Sequence, residues 1–148
     1  MVNLSEKLTI VIPNKDERWT ILDCLNIVYK QKGIKGTRVI IADSSEDSFC
    51  KYILKNFSKK YSSVLNIEII DGGNQSKARL EGSKLVTTPY ILFLDADIFM
   101  YDLELLTNIF EKEIVKDPDL VTVNLRTISK WDWLYDIFNT VQSLSKLF

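Results

Sequence analysis

The amino-acid sequence predicts an α/β domain with a mostly parallel sheet and helices on both faces, an arrangement like the Rossmann fold. Two observations lead to this prediction: short apolar, β-branched runs alternate with longer segments of helical spacing, and turn or cap residues separate them. Strands that alternate with helices of this length form parallel sheets through right-handed crossovers. The 148 residues contain no internal repeat, low-complexity tract or linker. We therefore expect one domain over residues 1–148, in which residues 130–148 form a C-terminal amphipathic helical segment.

Turn and cap residues define the predicted elements in chain order. Pro13 ends the first strand and Gly33 ends the first helix, because proline removes a ladder donor and glycine favours helix ends. The segment Ser44-Ser45-Glu46-Asp47 supplies a helix cap and early-turn acids, and Asp71-Gly72-Gly73 breaks the third strand. The predicted strands cover residues 8–12, 38–42, 66–70, 89–94 and 120–124. The predicted helices cover residues 18–32, from the 44–47 cap to 61, 75–86, 103–116 and a last stretch from 130.

The composition is typical of a soluble globular protein, with 46% hydrophobic and 26% charged residues. The net charge of −1 gives no electrostatic indication of binding to nucleic acid or to an anionic membrane. No apolar run approaches the roughly 20 residues of a transmembrane helix. Residues 1–7 lack the apolar core of a signal peptide, and Cys24 and Cys50 lack CxxC spacing. We therefore expect a cytoplasmic protein with reduced thiols.

Histidine is absent from the sequence, and this absence narrows the chemistry. It excludes Ser-His-Asp and Cys-His nucleophile systems, imidazole bases and most zinc sites. Any metal ion would have oxygen ligands, which favours Mg²⁺ or Mn²⁺. Acid–base catalysis would depend on carboxylates, lysine or tyrosine.

The most informative motif, Asp95-Ala96-Asp97, directly follows the apolar run at residues 89–94. Such a run predicts a buried strand that brings both carboxylates to the sheet edge where open α/β sheets bind their ligands. Two aspartates in so apolar a setting need a partner, and a divalent cation that carries a nucleotide phosphate would be one. The alternative is that both acids only begin a loop and cap the next helix.

Polar segments follow the other predicted strands and would converge on the same edge of the sheet. They are residues 13–17, 43–45 and 71–73. This acid-rich rim suits a nucleotide with its metal ion. The sequence contains neither GxGxxG nor GxxxxGKS/T, so we expect the metal ion, rather than backbone amides, to hold a diphosphate.

Four segments in series resemble the motifs of family 2 glycosyltransferases, which have the GT-A fold. The family has a V-I-P-x-x-N-E-like segment, a D-D-G-S-x-D-like segment, a G-x-x-x-A-R-N-x-G stretch and a D-x-D motif after a Y-I-x-F-L strand. The corresponding residues here are 11–17, 42–47, 73–82 and 90–97, and their order and spacing agree over about residues 8–98. The chain therefore looks like the donor-binding half of such an enzyme.

The resemblance implies a site for a nucleotide diphosphate sugar. Pro13 and Glu17 would line the base and ribose pocket, and Asp43 would bind the base, usually uracil. Lys77 and Arg79 lie on the segment that faces the ribose and diphosphate in the family.

The resemblance also implies a metal site at the D-x-D motif. Asp95 would contact the ribose or the metal shell, and Asp97 would ligate the Mn²⁺ or Mg²⁺ that bridges the diphosphate and acts as a Lewis acid. Two departures bear on this reading. Ala42 replaces the first aspartate of the family's D-D pair, so base recognition would depend on Asp43 alone. Leu80 replaces the asparagine that follows the arginine in the family's A-R-N stretch.

Only 51 residues (148 − 97) follow Asp97, and we expect these to be too few for a full acceptor domain. Asp132 and Asp136 are the candidates for a catalytic base in the final stretch. A competing interpretation is a core-facing apolar stripe, formed by Leu134, Ile137, Phe138, Val141, Leu144 and Phe148. This stripe would pack on the sheet, on further residues or on a second copy in a homo-oligomer. We do not expect this stripe to anchor the chain on an anionic membrane, because the positive and negative charges around it cancel.

The expected function is a metal-dependent glycosyltransferase that moves a sugar from a nucleotide diphosphate sugar, with UDP as the expected nucleotide, to an acceptor hydroxyl of a glycan, protein or lipid. The main alternative is a non-catalytic nucleotide-sugar-binding or assembly module that lacks an acceptor half. A nucleotidyltransferase would need a glycine-rich first loop, which is absent after Ile12. A phosphoacceptor signalling domain would need its acidic pair after the first strand, and the resemblance argues against it.

Overall fold

The computed structural model describes residues 2–116 and 118–123, in which strands and helices alternate as predicted. The strands are β1 (Leu8–Asn14), β2 (Arg38–Asp43), β3 (Asn66–Asp71) and β4 (Tyr90–Phe93). The helices are α1 (Thr20–Lys30), α2 (Ser48–Tyr61), α3 (Gln75–Lys84) and α4 (Leu105–Lys112). Short 3₁₀ turns cover Leu4–Glu6 and Ile114–Lys116. The predicted α/β class is confirmed.

The four strands form one parallel sheet in the order β3-β2-β1-β4. All residues of β1 are buried, as expected for a central strand of a parallel sheet that is covered on both faces. The register places Asn14 opposite Asp43, and Asp43 opposite Asp71. Since β1 also pairs with β4, the residues that follow β4 emerge beside those that follow β1. The polar strand ends therefore meet at one edge of the sheet.

The side chains of β1 alternate between two apolar layers. Ile10 and Ile12 belong to the main core, together with buried residues of α1, α2 and α4. Val11 lies on the opposite face, where α3 packs against β1. Gly82 permits this close packing, because a Cβ atom there would lie 2.5 Å from Val11 Cγ1. Helices thus cover both faces of the central strands. The expectation that β4 is buried is wrong for the described part of the chain, because β4 lies at the edge of the sheet with Ile91 37% and Phe93 45% exposed.

The helix boundaries differ from the predicted ones where several residues compete for the cap. α2 begins only at Ser48, because the Asp47 carboxylate accepts a hydrogen bond from Phe49 N at 3.1 Å and so forms the cap. The preceding serines belong to the turn after β2 instead. α4 is shorter than the predicted helix at 103–116 and is followed by the 3₁₀ turn.

The predicted strand at 120–124 is wrong for the part that the structure describes. Residues 118–123 contain no strand, and Leu120 and Val123 are exposed. Branched apolar residues favour a strand only where a neighbouring strand and a core are available to pack against. Residue 124 and the predicted helix from 130 lie outside the described residues.

The chain divides into two compact units, residues 1–115 and 116–148. The first unit contains the sheet and the four helices described above. Only residues 116 and 118–123 of the second unit are described, so the single domain expected over 1–148 stays a prediction. No helix in the described parts of the chain is long and apolar enough to cross a membrane.

Candidate functional site

A cleft of about 250 Å³ opens at the carboxyl edge of the sheet. Its walls come from the end of β1 and the turn after it, the turn after β4, the start of the turn after β2 and one residue of α3. The lining residues are Pro13, Asn14, Lys15, Glu17, Ser44, Ala78, Asp95, Ala96 and Asp97. The cleft therefore lies where the predicted strand ends converge.

Asp95 and Asp97 lie on the turn that directly follows β4. This turn is tied to β1 because Leu94 N donates a hydrogen bond to Val11 O at 3.0 Å. It also closes on itself, since Ile98 N donates to Asp95 O at 3.0 Å. The Asp95 side chain is partly exposed and the Asp97 side chain is exposed. Backbone hydrogen bonds thus place both carboxylates at the mouth of the cleft.

The two carboxylates differ in their partners. The Arg79 guanidinium of α3 forms an ion pair and a hydrogen bond with Asp95. Among the described residues, the Asp97 carboxylate makes neither a hydrogen bond nor an ion pair. Asp95 is therefore already partly neutralised, whereas Asp97 keeps its ligand capacity.

The chemistry of these acids bears on how a metal ion would bind. The described residues contain no group of three or more His, Cys, Asp or Glu side chains that could hold one. Mg²⁺ is commonly held by one or two carboxylates together with substrate phosphates and water. Asp95 and Asp97 therefore fit an ion that binds together with a diphosphate, and they do not form a metal centre from protein ligands alone.

Asp43 is buried behind the cleft and does not line it. Its Oδ1 accepts hydrogen bonds from Asn14 Nδ2 at 2.9 Å, from Ser45 N at 3.1 Å and from the Ser45 hydroxyl. The Ser45 Oγ in turn accepts a hydrogen bond from Asp16 N at 2.8 Å. Asp16 has φ of 57°, in the left-handed region that aspartate tolerates better than most residues. Asp43 thus holds the turn that forms one wall of the cleft, and its contact with a base stays a prediction.

The other predicted site residues occupy different positions. Pro13 and Glu17 line the cleft, and Glu17 accepts a hydrogen bond from the Thr20 hydroxyl at the start of α1. The Lys77 side chain lies against Gly73 and does not line the cleft. Asp132 and Asp136, the candidates for a catalytic base, lie outside the described residues.

Three polar residues of the cleft lie in the predicted strand-end segments but were given no role from the sequence: Asn14, Lys15 and Ser44. The available signal was their position, since each follows or ends a predicted strand. Asn14 Oδ1 and Ser44 Oγ are buried and have no hydrogen-bond partner within the described part of the chain. Both atoms are enclosed by protein, since the Asn14 amide is held by Asp43 and Ser45 and Ser44 Oγ lies beside Gly72, so neither atom is presented to the cleft.

Cys24 reports the electrostatics below the turn. Its Sγ lies 3.9 Å from Asp95 O and is almost fully buried. Burial, together with the nearby carboxylates of Asp97 and Asp95, raises the pKa of the Cys24 thiol to about 12. The thiol is therefore protonated near neutral pH and is not a nucleophile. Cys24 therefore lies close to both carboxylates of the cleft.

Comparisons with known proteins agree with this arrangement. The sequence profile described as Glycosyl transferase family 2 matches residues 9–137. A poly(ribitol-phosphate) beta-glucosyltransferase of Bacillus spizizenii is 34% identical over 97 residues, which are 64% of this chain and 15% of that protein.

The fold is also similar to solved structures of S. aureus TarS. The crystal structure of TarS has a TM-score of 0.64 at 21% identity and covers 84% of this chain and 23% of its own. The structure of TarS 1-349 in complex with UDP-GlcNAc has a TM-score of 0.65 at 22% identity and covers 84% of this chain and 37% of its own. At these identities the likeness shows the fold alone. The family match covers most of the sequence, and the chain belongs to glycosyltransferase family 2.

Proposed function

We propose that this chain binds a nucleotide diphosphate sugar at the carboxyl edge of its sheet and transfers the sugar to an acceptor hydroxyl. One observation carries the proposal: in a member of this family, Asp95 and Asp97 line the same cleft as the strand-end residues of β1. Charged oxygen ligands on one wall and polar atoms on the other suit a ligand with a diphosphate at one end and a base at the other.

The donor that we propose is a UDP-linked sugar. Structures of TarS 1-349, which share the fold, are described as complexes with UDP and with UDP-GlcNAc. Pro13 and Glu17 are available to contact the base and ribose, and Asn14 and Ser44 line the cleft beside them. Asp43 would act on base recognition mainly by holding this wall in place.

The diphosphate would lie toward Asp95 and Asp97, with Lys77 and Arg79 as the nearby cations of α3. Bound with the donor, Mn²⁺ or Mg²⁺ would be held by Asp97 and Asp95 and would supply charge neutralisation for the departing nucleotide diphosphate. Since Arg79 already pairs with Asp95, we assign the larger part of metal binding to Asp97.

The acceptor that we propose is a hydroxyl of a polyol or glycan polymer. The name of the Bacillus relative, a poly(ribitol-phosphate) beta-glucosyltransferase, supports this class over protein or lipid acceptors. Asp132 and Asp136 stay the candidates for the base that activates this hydroxyl, and both fall within the family match. A homo-oligomer formed through the apolar stripe at 134–148 is a further proposal.

A cytoplasmic location is also part of the proposal. Cys24 and Cys50 are buried free thiols, which fits a reducing compartment.

Release of UDP from UDP-sugars tests the activity directly. The chain is incubated with UDP-glucose or UDP-GlcNAc and poly(ribitol phosphate), with Mn²⁺ or with a chelator. We expect Mn²⁺-dependent release that is at least about 100-fold slower in Asp97→Ala, because charge neutralisation of the leaving group contributes several kcal/mol. Glu111→Ala, an exposed carboxylate of α4 that does not line the cleft, is the matched control and should keep the wild-type rate.

The second candidate function is a nucleotide-sugar-binding module without transferase activity. The short span of the match favours this alternative, since the chain corresponds to only 15% of the length of the Bacillus relative and 23% of the length of TarS. Metal-dependent nucleotide binding without UDP release, for every donor and acceptor tested, would select this alternative.

A further inference from the structure

The outer face of α2 concentrates positive charge that the net charge of −1 conceals. Lys51, Lys55 and Lys59 are exposed and recur every four residues, so they form one row with a rise of about 6 Å between neighbours. Lys60 is exposed beside this row. No acidic residue occurs in Ser48–Tyr61, and within the described residues none of the three lysines of the row forms an ion pair.

Stability of the helix does not explain the row. Lysines in the last turn, such as Lys59 and Lys60, complement the partial negative charge of a helix C-terminus. Lys51 has the opposite position, near the first turn, where a positive charge is unfavourable. The row therefore also covers the beginning of the helix, where the helix dipole disfavours a positive charge.

Exposed aromatic side chains accompany the lysines. Tyr52 is 63% exposed on the same face of α2, and Phe49 is 42% exposed at its beginning. Trp19 is 65% exposed and packs edge-to-face on Phe49, with ring centroids 5.8 Å apart. Solvation alone does not favour three exposed aromatic rings, whereas a lipid–water interface does, because it accommodates an apolar ring body and a polar edge together.

We propose that this surface (Trp19, Phe49, Lys51, Tyr52, Lys55 and Lys59) docks on an anionic lipid bilayer. Lysines near an anionic surface attract it through long-range electrostatics, and the aromatic side chains then enter the headgroup region. The exposed arc covers about half of the helix circumference, which suits a broad planar partner. None of the cleft residues lies on this helix, so the lysine row and the donor site use different side chains.

Co-sedimentation of the full chain with vesicles tests this proposal. The vesicles are pure phosphatidylcholine, or phosphatidylcholine with one third phosphatidylglycerol, at low and at high salt. We expect binding only to the anionic vesicles, and we expect high salt to abolish it, because exposed charges are screened. The triple variant Lys51→Glu/Lys55→Glu/Lys59→Glu should bind at least about tenfold more weakly.

The matched control is Lys7→Glu/Lys35→Glu/Lys112→Glu, which changes the net charge equally at exposed lysines outside α2. It should lose much less binding than the α2 variant. Trp19→Ser/Tyr52→Ser, which keeps every charge, should weaken binding at low salt. Circular dichroism confirms that each variant is folded before it is scored.

Equal loss of binding in the two charge variants would overturn the proposal, because net charge alone would then explain the attraction. Failure to bind anionic vesicles at low salt would also overturn it. Binding of soluble polyphosphate that depends on the α2 lysines, without vesicle binding, would assign the surface to a polyanionic chain instead.

Discussion

Arg79 of α3 and Asp95 after β4 form an ion pair at the edge of the cleft. This contact joins two of the family-like motifs that are separated in the sequence, and it places a guanidinium beside the proposed diphosphate position. Because both side chains are partly exposed, the pair contributes little to folding stability. Its main consequence is therefore local: it neutralises one of the two cleft carboxylates and leaves the other open.

We predict that Arg79→Ala weakens UDP binding in the presence of Mn²⁺ by about tenfold, because a charge-assisted hydrogen-bond donor to the diphosphate is lost. The free energy of unfolding, measured by urea denaturation, should change by less than about 1 kcal/mol. Calorimetric titration gives the binding constant, and Lys84→Ala, on the same helix, is the control that should bind as wild type. Tighter UDP binding in Arg79→Ala would show that the guanidinium only competes for Asp95.

We predict that Asp43→Ala lowers the free energy of unfolding by about 1–3 kcal/mol, because Asn14 and Ser45 then lose a buried acceptor. Urea denaturation followed by fluorescence measures this change. The matched variant is Asp71→Ala, which removes an exposed aspartate at the equivalent end of β3 and should cost less than about 1 kcal/mol. Equal costs for the two variants would contradict the buried role of Asp43.

We predict that Gly82→Ala destabilises the fold by about 1–3 kcal/mol through overpacking against Val11. The sign is informative, since glycine to alanine within a helix is otherwise stabilising by about 0.5–1 kcal/mol. Val11→Ala should relieve the clash, so the double variant should be more stable than the sum of the single changes predicts. If the destabilisations of the two single variants simply add in the double variant, the contact between residues 82 and 11 is not the cause of the destabilisation.

Local patterns in the sequence predict the elements well and their partners poorly. The apolar runs that became β1, β2, β3 and β4 are short, branched and bounded by turn residues, so their type follows from composition. The run at 120–124 has the same composition, and its described part is not a strand, because strand formation also depends on a neighbour that the local pattern does not specify.

The position of Asp95 and Asp97 is predictable for the same reason, since they closely follow an apolar strand, although that strand is half exposed and not buried as expected. Their difference in ion pairing is not predictable, because it depends on Arg79, which lies 16 residues away from Asp95 in the sequence. The burial of Asp43 likewise depends on the register that places Asn14 beside it. Such contacts between side chains depend on how the strands and helices pack in three dimensions, which the hydrophobic periodicity of the sequence does not determine.

The most direct test of the proposed donor site is calorimetric titration of the chain with UDP, with and without Mn²⁺. The account predicts binding that requires the metal ion, exceeds that of GDP and CDP, and is lost in Asp97→Ala while Glu111→Ala binds as wild type. Binding of UDP that is unchanged in a folded Asp97→Ala variant would contradict the assignment of the cleft.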